Sequence, residues 1–243
     1  MGPYGWLACS LLTVMSLQGA LAGAQVLHKT TRIDGSVVEY RVVLPKGYDA
    51  ARAYPAVLAF AGGPQTDAVD QRMIETTFLD QAEQRGYIVV VPAAPGGRLF
   101  YNGGERIIPG LLREVLADYR IRGARFRVAG RSNGGISAFE VASLYPQYFI
   151  SITAFPGYLL FPTAERIAAI SKLCIHMFVG EDDELGFGQA MQQQAADFRK
   201  RGLTLTYSVE KGQRHQIETL MGAGAGRLFD QFDRDRRGCK RDR

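Results

Sequence analysis

Between residues 37 and 209 the chain alternates short apolar runs with longer stretches in which apolar positions recur every three or four residues. Residues 37–44 (VVEYRVVL), 56–60 (AVLAF), 87–91 (YIVVV), 125–130 (RFRVAG), 149–155 (FISITAF), 174–179 (CIHMFV) and 203–209 (LTLTYSV) are short and rich in β-branched and aromatic residues. They read as strands. Helical spacing predicts helices over 69–85, closed by Gly86, and from Pro109 to about residue 119. Further helices are predicted over 135–144, 163–170, 188–201 and 216–232. Apolar strands separated by helices predict an α/β fold, a mostly parallel sheet with helices on both faces. In such sheets ligands bind beyond the carboxyl ends of the strands, so the loops after the strands carry the candidate chemistry.

The strand 125–130 runs directly into Gly130-Arg131-Ser132-Asn133-Gly134, a G-x-S-x-G pattern that opens a helix. A tight strand-to-helix turn lifts the serine hydroxyl above the sheet, and the glycines relieve crowding two residues to either side. Ser132 is therefore a candidate nucleophile, which needs a base. His215 follows the last strand and lies on the same side of the sheet, which makes it the candidate. His176 lies inside a strand and reads as a hydrogen-bonded core residue, and His28 as a surface one. The base needs an acid to orient it, and Glu181-Asp182-Asp183-Glu184 follows the strand 174–179. Chain order serine, acid, histidine is that of one serine-hydrolase arrangement. An oxyanion hole needs two N–H donors. One is expected at Asn133, after the nucleophile. The other falls in the loop AGGPQ after 56–60, where Pro64 has no N–H and Gly63, deeper in the turn than Gly62, is preferred.

Composition narrows the class. Of the 243 residues, 47% are hydrophobic and 22% charged, as in an ordinary globular protein. The first stretch is different. Residues 7–21 are apolar or small and uncharged, and Ala22-Gly23-Ala24 follows as an A-x-A site. Residues 1–24 are thus expected to be a signal peptide, placing a single catalytic domain, 25–243, outside the cell or in the periplasm with no membrane insertion after cleavage. An oxidising compartment permits a Cys174–Cys239 bridge, while Cys174 equally suits a buried thiol; the pairing stays open. The net charge of +5 owes much to the last eleven residues, with six basic and three acidic side chains. Mixed signs of this kind mark a solvated end, and no nucleic-acid partner is expected. The histidines and cysteines show no metal-ligand spacing. GAGAGR (222–227) follows no strand, so it reads as a weak or kinked stretch of the last helix, not a dinucleotide loop.

Three segments carry a family resemblance: YRVVLPKGYDAARAYPAVLAF (40–60), AEQRGYIVVVPAAPGG (82–97) and RVAGRSNGGISAF (127–139). They resemble the α/β-hydrolase superfamily, and within it the secreted esterases of the polyhydroxybutyrate-depolymerase and feruloyl-esterase type. That resemblance implies an α/β-hydrolase fold and a serine esterase needing no metal or cofactor, acting on a small-molecule or polymeric ester. The family's G-x-x-D pattern, set on Gly180, selects Asp183, with Asp182 next. Ala61 stands where the family often has histidine. No long insertion separates 149–155 from 174–179, so no large lid is expected and the site should be open. The loop aromatics Phe100, Tyr101, Tyr158 and Phe161 are candidates to wall an acyl group. The only tryptophan, Trp6, lies in the expected leader, which counts against a polysaccharide substrate. A serine peptidase on the same fold and a binding protein without chemistry are the competing classes.

Overall fold

The computed structural model describes residues 23–235 and residue 239. The expected leader lies outside the described residues, except for its last two. Eight strands form one sheet in the order β1-β2-β4-β3-β5-β6-β7-β8. These are β1 (Gln25–Ile33), β2 (Ser36–Leu44), β3 (Tyr54–Phe60), β4 (Ile88–Pro92), β5 (Ile121–Gly130), β6 (Phe149–Ala154), β7 (Cys174–Gly180) and β8 (Leu205–Glu210). From β4 to β8 all neighbours are parallel, whereas β1 and β2 join antiparallel at one edge.

Strand pleating sends alternate residues to opposite faces, and both faces are covered. Ala56, Leu58 and Phe60 of β3 join a core with α3 (Ile108–Asp118), α4 (Asn133–Leu144), α5 (Ala164–Ile170) and α6 (Phe187–Lys200). Val57 and Ala59 of the same strand face α1 (Asp67–Met73), α2 (Leu79–Arg85) and α7 (Gly226–Asp235). Near-continuous apolar runs in β3 and β4 follow from burial on both sides. Among the described residues no helix is long and apolar enough to cross a membrane.

Three elements depart from expectation. β1 carries no strand signal in the sequence: it is an edge strand whose residues are exposed or half-buried up to the buried Ile33, so its pattern is mostly polar. The helix expected over 69–85 contains a π-helical stretch, Ile74–Phe78, between α1 and α2, which turns Ile74, Thr77 and Phe78 inward. The last helix begins at Gly226, not near 216. Single 3-10 turns, Glu218–Leu220 and Gly222–Ala225, replace its first part, and Gly222 takes a φ of 53° that an α-helix does not allow. Cys174 and Cys239 form a disulfide, which ties the chain beyond α7 to the start of β7. Beside it His176 is buried and hydrogen-bonded to Thr206 at 2.9 Å and Asp235 at 3.0 Å.

Candidate active site

The site is built where β5 meets α4. Ser132 has φ 57° and ψ −122°, a backbone state that side chains rarely adopt and that costs about 1–3 kcal/mol. The surroundings impose it. Ser132 N–H donates to the Pro156 carbonyl at 2.7 Å, and Arg131 N–H donates to the Phe60 carbonyl at 3.3 Å. A Cβ at Gly130 would overlap the Gly134 carbonyl, and one at Gly134 would overlap the Phe60 carbonyl. Only glycine at both places lets the helix start so close to β3.

The structure brings Ser132, His215 and Asp183 together. His215 Nε2 lies 2.8 Å from Ser132 Oγ, and His215 Nδ1 lies 2.8 Å from Asp183 Oδ2. A proton on Nδ1 donates to the carboxylate and leaves Nε2 to accept from the serine hydroxyl. Asp183 is the buried member, with its side chain 1% exposed against 14% for His215. Its other oxygen accepts from the backbone N–H groups of Leu185 at 3.0 Å and Phe187 at 3.1 Å. Of the four consecutive acids, Asp183 alone touches the His215 imidazole. Glu181, Asp182 and Glu184 are exposed. Glu184 nevertheless accepts from His215 N–H at 3.0 Å, and that N–H is the main cause of its lowered pKa. Asp182 N–H donates to the Gln213 carbonyl at 2.9 Å, so the acid loop and the histidine loop are laced along their backbones.

The glycine loop after β3 is anchored against α4. Asn133 Nδ2 donates to the Gly63 carbonyl at 2.9 Å. Buried Gln65 donates to the Ala61 carbonyl at 3.2 Å and to Ser137 Oγ at 2.9 Å, and accepts from Phe100 N–H at 3.2 Å. Gly62 is buried against Ser132, whereas Gly63 is exposed and takes φ 58°.

One expected substrate contact is corrected. Phe100 is 0% exposed and packs on Phe60 with ring centroids 4.8 Å apart, so it belongs to the core and cannot wall a ligand. Tyr101 and Tyr158 remain half-buried, and burial followed by the nearby Tyr158 raises the Tyr101 pKa. Tyr158 packs edge-on against Phe187 at 5.3 Å, and Phe187 against the His215 ring at 4.7 Å. Phe161 is exposed. Phe187 and Gln65 have no signal in the sequence, because each acts through a contact with a distant segment, and Glu184 shows there only as one of four candidate acids, not as a partner of the His215 backbone.

Elsewhere, His28, Glu39 and Asp67 bring possible metal-ligand atoms within 4.8 Å of one another on the β1–β2 side. Asp67 is already held by Arg41 through bonds of 2.8 and 2.7 Å, which competes with any cation.

No family model matches the chain. A curated relative, dipeptidyl-peptidase 5 from Porphyromonas gingivalis, is 31% identical over 141 residues, which cover 53% of this chain and 20% of that protein. The chain thus aligns with about a fifth of the relative's length. A thermostable esterase structure superposes with a TM-score of 0.71 at 17% identity, over 88% of this chain and 63% of that one. A ferulic acid esterase gives 0.68 at 18% identity, over 88% and 98%. The chain has the α/β-hydrolase fold.

Proposed function

We propose that the protein is a serine hydrolase that cleaves carboxylic esters through an acyl-enzyme. The observation that carries this reading is the unbroken hydrogen-bond chain Ser132–His215–Asp183 at the carboxyl end of the sheet. His215 Nε2 takes the Ser132 proton as Oγ attacks the ester carbonyl carbon, and returns it to the leaving alkoxide as the C–O bond breaks. Water then repeats the sequence, with the acyl carbon released as a carboxylic acid. Asp183 stays ionised, holding the imidazole in the tautomer that accepts from serine and stabilising the imidazolium. The amides of Gly63 and Asn133 are the proposed oxyanion donors, and the first turn of α4 adds a favourable dipole. No step calls on a metal or cofactor. Tyr101 and Tyr158 are the proposed substrate contacts.

The esterase names of the superposed structures support an ester substrate in preference to an amide. A peptidase is the second reading, favoured by the name of the curated relative. The disulfide supports an extracytoplasmic location, together with the leader-like residues 1–24. The deciding experiment follows hydrolysis of p-nitrophenyl esters of increasing chain length and of chromogenic dipeptide amides, with Ser132→Ala alongside. Ester turnover that vanishes in the variant, and fluorophosphonate labelling of the wild type alone, are expected. Equal rates in both proteins would remove the proposal.

A further inference from the structure

Arg131 fills the variable position just before the nucleophile, and proton transfer makes no use of it. Among the described residues five arginines are withdrawn at least partly from solvent: Arg41, Arg85, Arg127, Arg131 and Arg166. Four are satisfied. Arg41 meets Asp67, Arg85 meets Asp230, and Arg166 meets Glu140. Arg127 donates to the Phe232 carbonyl. Among the described residues the Arg131 side chain has neither a carboxylate nor a carbonyl partner, and the charged group that acts on it is another cation, Arg72 of α1. Burial, and then Arg72, lowers its pKa. A half-buried guanidinium without a counter-charge is costly unless something else supplies one.

The position of this unmatched charge indicates what would neutralise it. A Cβ built on Gly62 would stand 3.2 Å from the Arg131 carbonyl oxygen, 3.5 Å from Ser132 Cβ and 3.6 Å from Arg131 Nε. The guanidinium and Ser132 therefore both pack against buried Gly62, which places the charge beside the proposed nucleophile, and glycine at 62 is what allows so close an approach. Arg72, exposed on α1, has no ion-pair partner among the described residues and adds a second positive charge that acts on Arg131. The planar fork of an arginine suits a carboxylate, which it can hold by two parallel hydrogen bonds.

We propose that Arg131, backed by Arg72, is a specificity-determining subsite for a carboxylate carried by the ester substrate. This rests on the ester-hydrolase reading of the same site. The carboxylate could sit on either side of the scissile bond, and matched substrates separate the two. On the alcohol side, 4-acetoxybenzoate is compared with 4-methylphenyl acetate. On the acyl side, the mono-4-nitrophenyl ester of glutaric acid is compared with 4-nitrophenyl pentanoate. In one pair the wild type should favour the anionic member, and high salt should shrink that preference. The kcat/KM ratio of anionic to neutral ester should fall roughly tenfold or more in Arg131→Gln, as expected for loss of a charge-assisted bond. It should fall less in Arg72→Gln. Ratios equal in wild type and Arg131→Gln, or an equal loss for both members of each pair, would overturn the subsite. Calorimetric titration of Ser132→Ala with 4-hydroxybenzoate and with glutarate needs no turnover. Binding that Arg131→Gln abolishes in that background supports the subsite even if no ester is cleaved. Absence of binding by either acid, together with no anionic preference, overturns it. Should Arg131→Gln fail to fold by circular dichroism, the exposed Arg72→Gln variant and the salt dependence decide the same question.

Discussion

Asp183 Oδ2 stands 2.8 Å from His215 Nδ1, while Asp183 Oδ1 is held by two backbone N–H groups at the start of α6. The carboxylate is thus fixed before it meets the imidazole. Asp183→Asn keeps the shape but can present an amide N–H to Nδ1, which favours the wrong histidine tautomer. A fall in kcat of about a thousandfold to ten-thousandfold is expected. Asp182→Asn, on an exposed side chain, should leave kcat within about twofold. Steady-state kinetics on one p-nitrophenyl ester separate the two; similar losses would mean that the loop, not the Asp183 contact, matters.

The strained Ser132 backbone makes a stability prediction independent of substrate. Ser132→Ala and Ser132→Gly both remove the proposed nucleophile, but only glycine adopts φ 57° without penalty. Ser132→Gly should be more stable than Ser132→Ala by about 1 kcal/mol in urea denaturation, part of the strain relief being offset by glycine's greater unfolded-state entropy. Identical midpoints would show that the turn is not strained at this residue.

Asn133 has two separable roles. Its backbone N–H is a proposed oxyanion donor, and its side chain bonds the Gly63 carbonyl at 2.9 Å. Asn133→Ala keeps the first and removes the second. If that bond steadies the glycine loop, kcat should fall about five- to tenfold with little change in KM, the effect of one lost hydrogen bond of about 1 kcal/mol. An unchanged kcat would assign the loop's rigidity to Gln65 alone.

Much of this architecture is legible in the sequence for a simple reason. Strands buried on both faces, such as β3 and β4, must be apolar throughout, and that pattern survives without any knowledge of their partners. Ser132, Asp183 and His215 each follow the carboxyl end of a parallel strand, β5, β7 and β8, so their meeting at one end of the sheet could be expected from topology. What was not legible depends on contacts between distant segments. β1 pairs on only one side and shows only half of a buried pattern. The π-helical stretch within 69–85 alters helical spacing by too little to be seen. His28, Glu39 and Asp67 meet across strands and a helix, which no linear spacing displays. Arg131 gains its significance from having no acid paired with it among the described residues, and a missing partner leaves no mark on the linear sequence.

Phe100 illustrates the same limit and is easily tested. A loop aromatic next to Tyr101 looks like a substrate wall, yet it is buried on Phe60. Phe100→Ala should cost about 3–5 kcal/mol of stability, the usual penalty for an emptied aromatic site. Its relative rates on short and long acyl chains should stay as in the wild type. Tyr101→Ala should do the opposite, altering KM and chain-length preference with a smaller loss of stability. Thermal melts and a chain-length series distinguish the two; a changed preference in the Phe100 variant would restore it to the pocket.

Asp70 links the sequence to pH-dependent stability away from the site. It is 1% exposed, and among the described residues neither carboxylate oxygen has a hydrogen-bond partner. Burial pushes its pKa up to about 8, the neighbouring Asp67 carboxylate adds to the rise, and Arg41 opposes it. The folded protein therefore holds a proton that the unfolded chain releases near the ordinary value of 3.8. Between about pH 4 and pH 8 the unfolded state binds fewer protons, so this residue lowers stability progressively as the pH rises. Above about pH 8 the folded state has lost the proton as well, and the penalty is fully developed. Asp70→Asn removes the charge with little change of shape. It should gain about 1–3 kcal/mol over the wild type at pH 8, and distinctly less near pH 5, where the native carboxyl is still neutral. Urea denaturation at the two pH values measures that difference directly. Parallel profiles for the two proteins would mean that Asp70 is ionised and solvated in the folded state.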